Sequence, residues 1–276
     1  MRRRRATTAV SLLFLFALAC AALAAPAPAK KKATHDGVSL TFDDALAREV
    51  KAETVPASPL EQASDKPDGV FPEHVAFTFD EIAGLHADSF NQPVVRVSPV
   101  AEYLKAFSVS PRYVKDAGRV LDALRRLIRQ RPAAITRNVP QLPYLDGTEV
   151  FHARVKYLRF HGGAGLAVLT QGQQDEELVN NQSVSYEFHG LTDDGRFYVR
   201  AYFPFSAPVL AATRDAASHD GYTPLRYPGR ASAREQRRYA AYVEGVRRKL
   251  ERLRPEQFQP DLRLYDELLS SIEIRK

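Results

Sequence analysis

The chain has no tryptophan, one methionine and one cysteine in 276 residues. The cysteine, Cys20, lies in an apolar N-terminal run, so cleavage beyond it leaves no disulfide, no thiol nucleophile and no thiolate metal ligand. Signatures of catalysis are missing as well: there is no G-x-S-x-G elbow, H-E-x-x-H helix, P-loop or paired C-x-x-C. No segment repeats at a fixed period. A real excess of one charge is also lacking. The 39 basic residues exceed the 33 acidic ones, giving +6, but Arg2–Arg5 lie in a segment expected to be removed, which leaves 35 against 33. Setting aside Lys30–Lys32 as well leaves 32 against 33 from Ala33 onward, so the pI of 9.4 is no argument for a nucleic acid partner.

What is present starts with a basic cluster, an apolar run and small residues over 1–24, the pattern of a bacterial secretory signal with Ala22-Leu23-Ala24 as a cleavage site. Cys20 closes Ala17-Leu18-Ala19-Cys20, a permuted lipoprotein box, and is the candidate lipid-bearing residue; the ordinary reading is a small apolar residue within the signal. Residues 25–36 read as a disordered tether, because Pro, Ala and Lys offer little apolar surface. Residues 37–276 read as a single domain.

The strongest signal runs from Glu149 to Phe205, as two consecutive β-hairpins with period-two alternation. In the second, a loop over Thr192–Gly195 sets Leu191 opposite Arg196, Phe188 opposite Val199, and Glu187 opposite Arg200 on the polar face. Gly162-Gly163-Ala164-Gly165 reads as a hairpin loop needing positive φ, and Asp193-Asp194-Gly195 as a tight turn; a calcium loop is excluded, since Pro204 stands at the twelfth position. Shorter strands are expected at Val38–Phe42, His74–Asp80 and Val94–Val97. Ser98-Pro99 and Ser110-Pro111 read as helix N-caps followed by proline, and the second helix carries Val114, Ala117, Leu121, Leu124 and Ile128 on one stripe. A long basic helix over 231–253, a helix at Asp261–Leu269 and an edge strand in SIEI complete an α+β fold. Its central antiparallel sheet of consecutive hairpins has helices packed on at least one face.

The candidate ligand-binding residues are Glu187, His189, Tyr198, Arg200 and Tyr202, which share the polar side of the second hairpin. Aromatic and basic groups on an open sheet face suit an anionic ligand, a polysaccharide or a peptide. The competing reading is a covered face with ordinary cross-strand pairs. His152, His161 and His189 would form a metal site if the hairpins brought them together; separately they are ordinary strand histidines. Asp43, Asp44, Asp80 and Glu81 are available for carboxylate chemistry, though turns and caps need the same residues.

FHARVKYLRFHGGAGLAVLTQ and YEFHGLTDDGRFYVRAYFPFS, with GVSLTFDDALA and PDLRLYDELLSSIEI, resemble a group of secreted or lipid-anchored bacterial proteins with no assigned function. The element order is also similar to the PsbP/Mog1-like sandwich. The first resemblance implies no catalytic residue, and a fold likeness does not fix function. The leading expectation is an exported, non-catalytic envelope protein, secreted, periplasmic or anchored, that binds an unknown envelope ligand or protein. No cofactor and no nucleic acid is expected, and membrane contact only through an N-terminal anchor at Cys20. The alternative is an extracytoplasmic hydrolase or metal-dependent enzyme using the histidines and carboxylates. A cleft holding two histidines, or a histidine and carboxylates, favours the alternative. A helix over Tyr198 and Arg200 rules out an open sheet-face site.

Overall fold

The computed structural model describes residues 29–59, 69–83, 85, 92–108, 110–143, 147–174, 177–224 and 232–275. The signal segment, Cys20 and the first residues of the expected tether lie outside them.

The tether expectation is corrected where the structure begins. Lys30–His35 (β1) pairs antiparallel with Val38–Asp43 (β2), and His35 faces Val38 across Asp36 and Gly37 at φ 42° and 71°. An Asp-Gly pair with both φ angles positive is the favoured two-residue hairpin turn, and it folds this polar segment back onto a strand with buried Val38, Leu40 and Phe42. Lys30 Nζ reaches Glu267 at 2.8 Å and Lys31 Nζ donates to the Arg48 carbonyl at 2.8 Å. The backbone pairing supplies what the side chains lack.

After a turn in which the Asp43 Oδ1 accepts the Ala45 N–H at 2.8 Å, three strands form a meander: Val50–Val55 (β3), His74–Phe79 (β4) and Val94–Pro99 (β5). Two helices follow, Val100–Ala106 (α1) and Pro111–Gln130 (α2). Ser98 is not a cap: it lies within β5, and Pro99, the last residue of that strand, occupies the N-cap position. Ser110 does sit at the N-cap of α2 with Pro111 after it, but its side chain makes no capping hydrogen bond. Gly118 lies within α2, and a methyl group there would meet nothing within 4 Å. Gly118→Ala should therefore raise stability by about 0.5–1 kcal/mol in denaturant unfolding, from reduced backbone entropy in the unfolded chain.

The chain then enters Thr148–Phe160 (β6), Gly163–Gln173 (β7), Ser185–Thr192 (β8) and Phe197–Pro204 (β9). All seven strands from β3 onward form one antiparallel sheet in the order β3-β4-β5-β9-β8-β7-β6. Topology explains its cover. β5 is the middle of the sequence walk but pairs with β9, while β6 is the far edge, so the connection carrying α1 and α2 must cross the sheet. It buries Tyr103, Phe107, Leu121 and Leu124 against Leu166, Val168, Leu191 and Tyr198 on one face. The opposite face carries the larger core. There Phe77, Phe188 and Phe203 meet Ala233–Arg252 (α3), Leu262–Ser270 (α4) and the small sheet of β1, β2 and Glu273–Ile274 (β10). The α+β architecture of consecutive hairpins covered by helices is what the sequence pattern predicts.

Two local readings change. The second hairpin pairs Tyr186 with Phe203, Glu187 with Tyr202, Phe188 with Ala201, His189 with Arg200 and Leu191 with Tyr198, two residues from the expected register. The turn is longer because Asp194 accepts from the Thr192 hydroxyl at 2.6 Å and the Arg196 N–H at 3.0 Å, while the Thr192 Oγ1 accepts the Phe197 N–H at 3.0 Å. A two-residue shift preserves the faces, so both faces keep their expected side chains. In the Gly162–Gly165 segment only Gly162 has positive φ, at 76°. Gly163 and Gly165 belong to β7, where their missing side chains make room for the Phe160 and Phe188 rings.

Candidate functional site

The cover ends before the sheet does. Toward the Ser185 end of β8 the face under α1 and α2 opens into a cleft of about 570 Å³. Period-two alternation supplies its floor: Val168 and Thr170 from β7, Ser185, Glu187 and His189 from β8, and Tyr202 from β9. Glu149, Gln173, Glu177 and Arg214 form walls.

Glu187 is the centre of a buried polar network. Its carboxylate accepts from the Ser185 hydroxyl at 3.1 Å, and the other oxygen lies 3.3 Å from His189 Nε2 and 3.6 Å from an Arg200 terminal nitrogen. Burial alone would raise the Glu187 pKa, but the His189 hydrogen bond and the Arg200 charge outweigh it and hold the group at about 2. Burial lowers the His189 pKa, with Glu187 opposing. A neutral imidazole carrying its proton on Nε2 satisfies both neighbours: it donates to Glu187, and Nδ1 accepts from the Tyr198 hydroxyl at 2.8 Å. That hydroxyl also accepts the Leu142 N–H at 3.2 Å, which ties the covering loop to the sheet. Arg200 stands directly opposite Arg96, whose pKa burial and this like charge lower to about 10. Arg96 stacks on Phe71 at 4.8 Å.

A second pair guards the wall. β6 carries an irregularity between Glu149 and Phe151, and this bulge turns Glu149 and His152 to the same side. His152 Nδ1 lies 2.6 Å from Glu149 and Nε2 lies 2.8 Å from the Ile135 carbonyl, while the second Glu149 oxygen accepts the Val139 N–H at 2.9 Å. Both ring nitrogens face acceptors, so the imidazolium fits best. The Glu149 hydrogen bond, against partial burial, raises the His152 pKa. Stability from this clamp is therefore full below the unfolded-state value of about 6.5 and is lost as pH rises through the raised folded value. An NMR titration of His152 should give a pKa above the ordinary histidine range, and Glu149→Gln should bring it down.

The five expected ligand residues share one face, yet they divide. Glu187, His189 and Tyr202 line the cleft. Tyr198 lies beneath α1, its ring 5.8 Å from that of Tyr103, and Arg200 is 6% exposed. An open binding face at Tyr198 and Arg200 is thus ruled out, because the crossing helices cover it. The histidines do not converge either: His152 is clamped, His189 is buried, and His161 sits exposed at the β6–β7 turn, 3.9 Å from Glu273. Among the described residues no three His, Cys, Asp or Glu side chains are placed to hold a metal ion. Asp43 accepts a turn hydrogen bond from the Ala45 N–H, Asp44 accepts from the Ala29 N–H at 3.1 Å, and Asp80 and Glu81 are exposed beyond β4, away from the cleft. The walls at Glu149, Gln173, Glu177 and Arg214 escape a reading of the second hairpin alone, whereas the floor residues Thr170 and Ser185 fall on its face by alternation. Comparison with family models, curated proteins and solved structures finds no match to this chain.

Proposed function

We propose that this chain is a binding protein that takes an uncharged, hydroxyl-rich ligand of saccharide type in the cleft around Ser185 and Glu187. One observation carries the reading: among the described residues, every cleft charge already has a counter-charge. Glu149 faces His152 at 2.6 Å, Glu177 faces Arg214 at 2.9 Å, and Glu187 faces Arg200 at 3.6 Å. A charged ligand would have to displace one of these partners. Hydroxyl groups would not, because the cleft also offers Thr148, Thr170, Gln141, Gln173, Ser183, Ser185 and Tyr202 as uncharged hydrogen-bonding groups. Export to the envelope is part of the proposal, supported by the basic and apolar pattern over 1–24.

The hydrolase reading retains one supporting feature, a histidine and three carboxylates in a single cleft. Against it, His189 has both ring nitrogens engaged and Glu187 is held ionised by three partners, so neither is free to carry a proton. Gly172 offers a test, because it is exposed, it lines the cleft, and a Cβ added there meets nothing within 4 Å. Calorimetric titration with cellobiose, maltose and N,N′-diacetylchitobiose should show saturable binding of at least one. Gly172→Phe should abolish it with an unchanged melting temperature. Equal binding by Gly172→Phe would remove the cleft as the site.

A further inference from the structure

A second groove lies on the same face of the sheet but toward the other end of β8, beside the C-terminal end of α2. Arg125 and Arg129 are four residues apart on that helix and project together. Arg131, at φ 47° just past the helix end, turns back beside them, and Arg159 reaches in from β6. The four guanidinium groups border a space of about 440 Å³ whose floor is apolar: Ile128 from α2, Ala164 and Leu191 from the sheet. Asp193 is the one carboxylate among its described lining residues.

Charge pairing leaves a remainder. Arg159 binds Asp193 at 2.9 Å and Arg125 binds Asp122 at 2.7 Å. Among the described residues no carboxylate pairs with Arg129 or Arg131. The negative end of the helix dipole accounts for a cation at Arg129. It does not account for Arg131 outside the helix, nor for Arg159 arriving from a different element at the same groove. Gathering like charges around one concavity raises its potential and selects an anion. We propose that this groove binds an organic phosphate monoester. Such a group carries close to two negative charges at neutral pH, matching the two unpaired arginines, and its oxygens fit the guanidinium fork in a way a point-charge ammonium does not. The apolar floor takes the carbon side of the ester. This site is separate from the cleft at Glu187, which sits among different residues, so either proposal can fail alone.

The test uses the whole chain with three soluble probes and one pair of vesicles. Phenyl phosphate should bind saturably, at least fivefold more tightly than inorganic phosphate, while phenol should not bind; affinity should fall as salt rises. Arg129→Gln with Arg131→Gln should weaken phenyl phosphate at least tenfold. Both arginines are exposed, so their replacement leaves folding intact. Arg112→Gln, on the first turn of α2 and paired with Asp116 at 3.8 Å, should change nothing. Vesicles of phosphatidylcholine with phosphatidic acid, against phosphatidylcholine alone, separate the sources. Binding only to the phosphatidic acid vesicles, lost in the double variant, supports the same chemistry with a lipid headgroup as its source. Absence of binding to every phosphate, or binding that the double variant leaves unchanged, overturns the proposal.

Discussion

Glu187→Ala should destabilise the protein by about 3–5 kcal/mol, the usual result of stripping the partner from a buried charge. Arg200 is 6% exposed and faces the half-buried Arg96 across the strand pair, so without Glu187 a buried cation would stand beside a like charge with its own carboxylate gone. His189 would also lose the acceptor for its Nε2 proton. The loss is one of relationship more than of attraction, and a double-mutant cycle separates the two. Adding Arg200→Ala to Glu187→Ala should recover part of the cost, with the sum of the single losses exceeding the double loss by about 0.5–3 kcal/mol. Urea unfolding of the four proteins gives the answer; strictly additive losses would mean that the 3.6 Å contact carries no coupling. Acid should mimic the mutation. Glu187 is depressed to about 2, so its contribution is full above the unfolded value of about 4.3 and fades as pH drops toward the folded one.

Gly165→Ala should cost about 1–3 kcal/mol, the usual range for overpacking a core. A methyl group there would stand 2.2 Å from the Phe188 ring and 2.7 Å from the His189 carbonyl oxygen. The ring is fully buried and packs edge-on to Phe160 at 6.2 Å, and the carbonyl belongs to the neighbouring strand, so neither can retreat without disturbing the other. Gly172→Ala, seven positions along the same strand, has no neighbour within 4 Å and should stay within about 0.5 kcal/mol of the parent. Thermal unfolding of the two variants side by side controls for the entropy of losing a glycine. Equal effects would show that ring packing is not what the glycine at 165 serves.

These glycines mark where sequence reading works and where it stops. Period-two alternation places Phe188 and Glu187 on opposite faces of the sheet, and it does so even though the expected register is two residues away from the real one. Alternation is a local property, whereas the register depends on how Thr192 and Asp194 hydrogen-bond the turn. The glycines of Gly162–Gly165 look alike in sequence; only packing separates the turn residue from the two that admit aromatic rings. The Asp36-Gly37 pair is a turn signal that the reading of 25–36 as a tether passes over in favour of its lysine-rich composition, and pairing with a buried strand outweighs composition. The polar face was legible as a set of residues. Its cover was not, since that follows from β5 pairing with β9 instead of β6, a choice made between strands about a hundred residues apart. The clamp between Glu149 and His152 depends on a bulge that alternation alone does not reveal.

The most direct test of the binding reading is an amide NMR titration of the intact chain with the three neutral disaccharides, followed by analysis of the recovered sugar. The account predicts saturable shifts confined to the cleft, at Thr170, Gln173, Ser185 and Glu187, with the disaccharide recovered intact after long incubation. Cleavage of the sugar, or shifts that bypass the cleft or are absent for all three disaccharides, would contradict it.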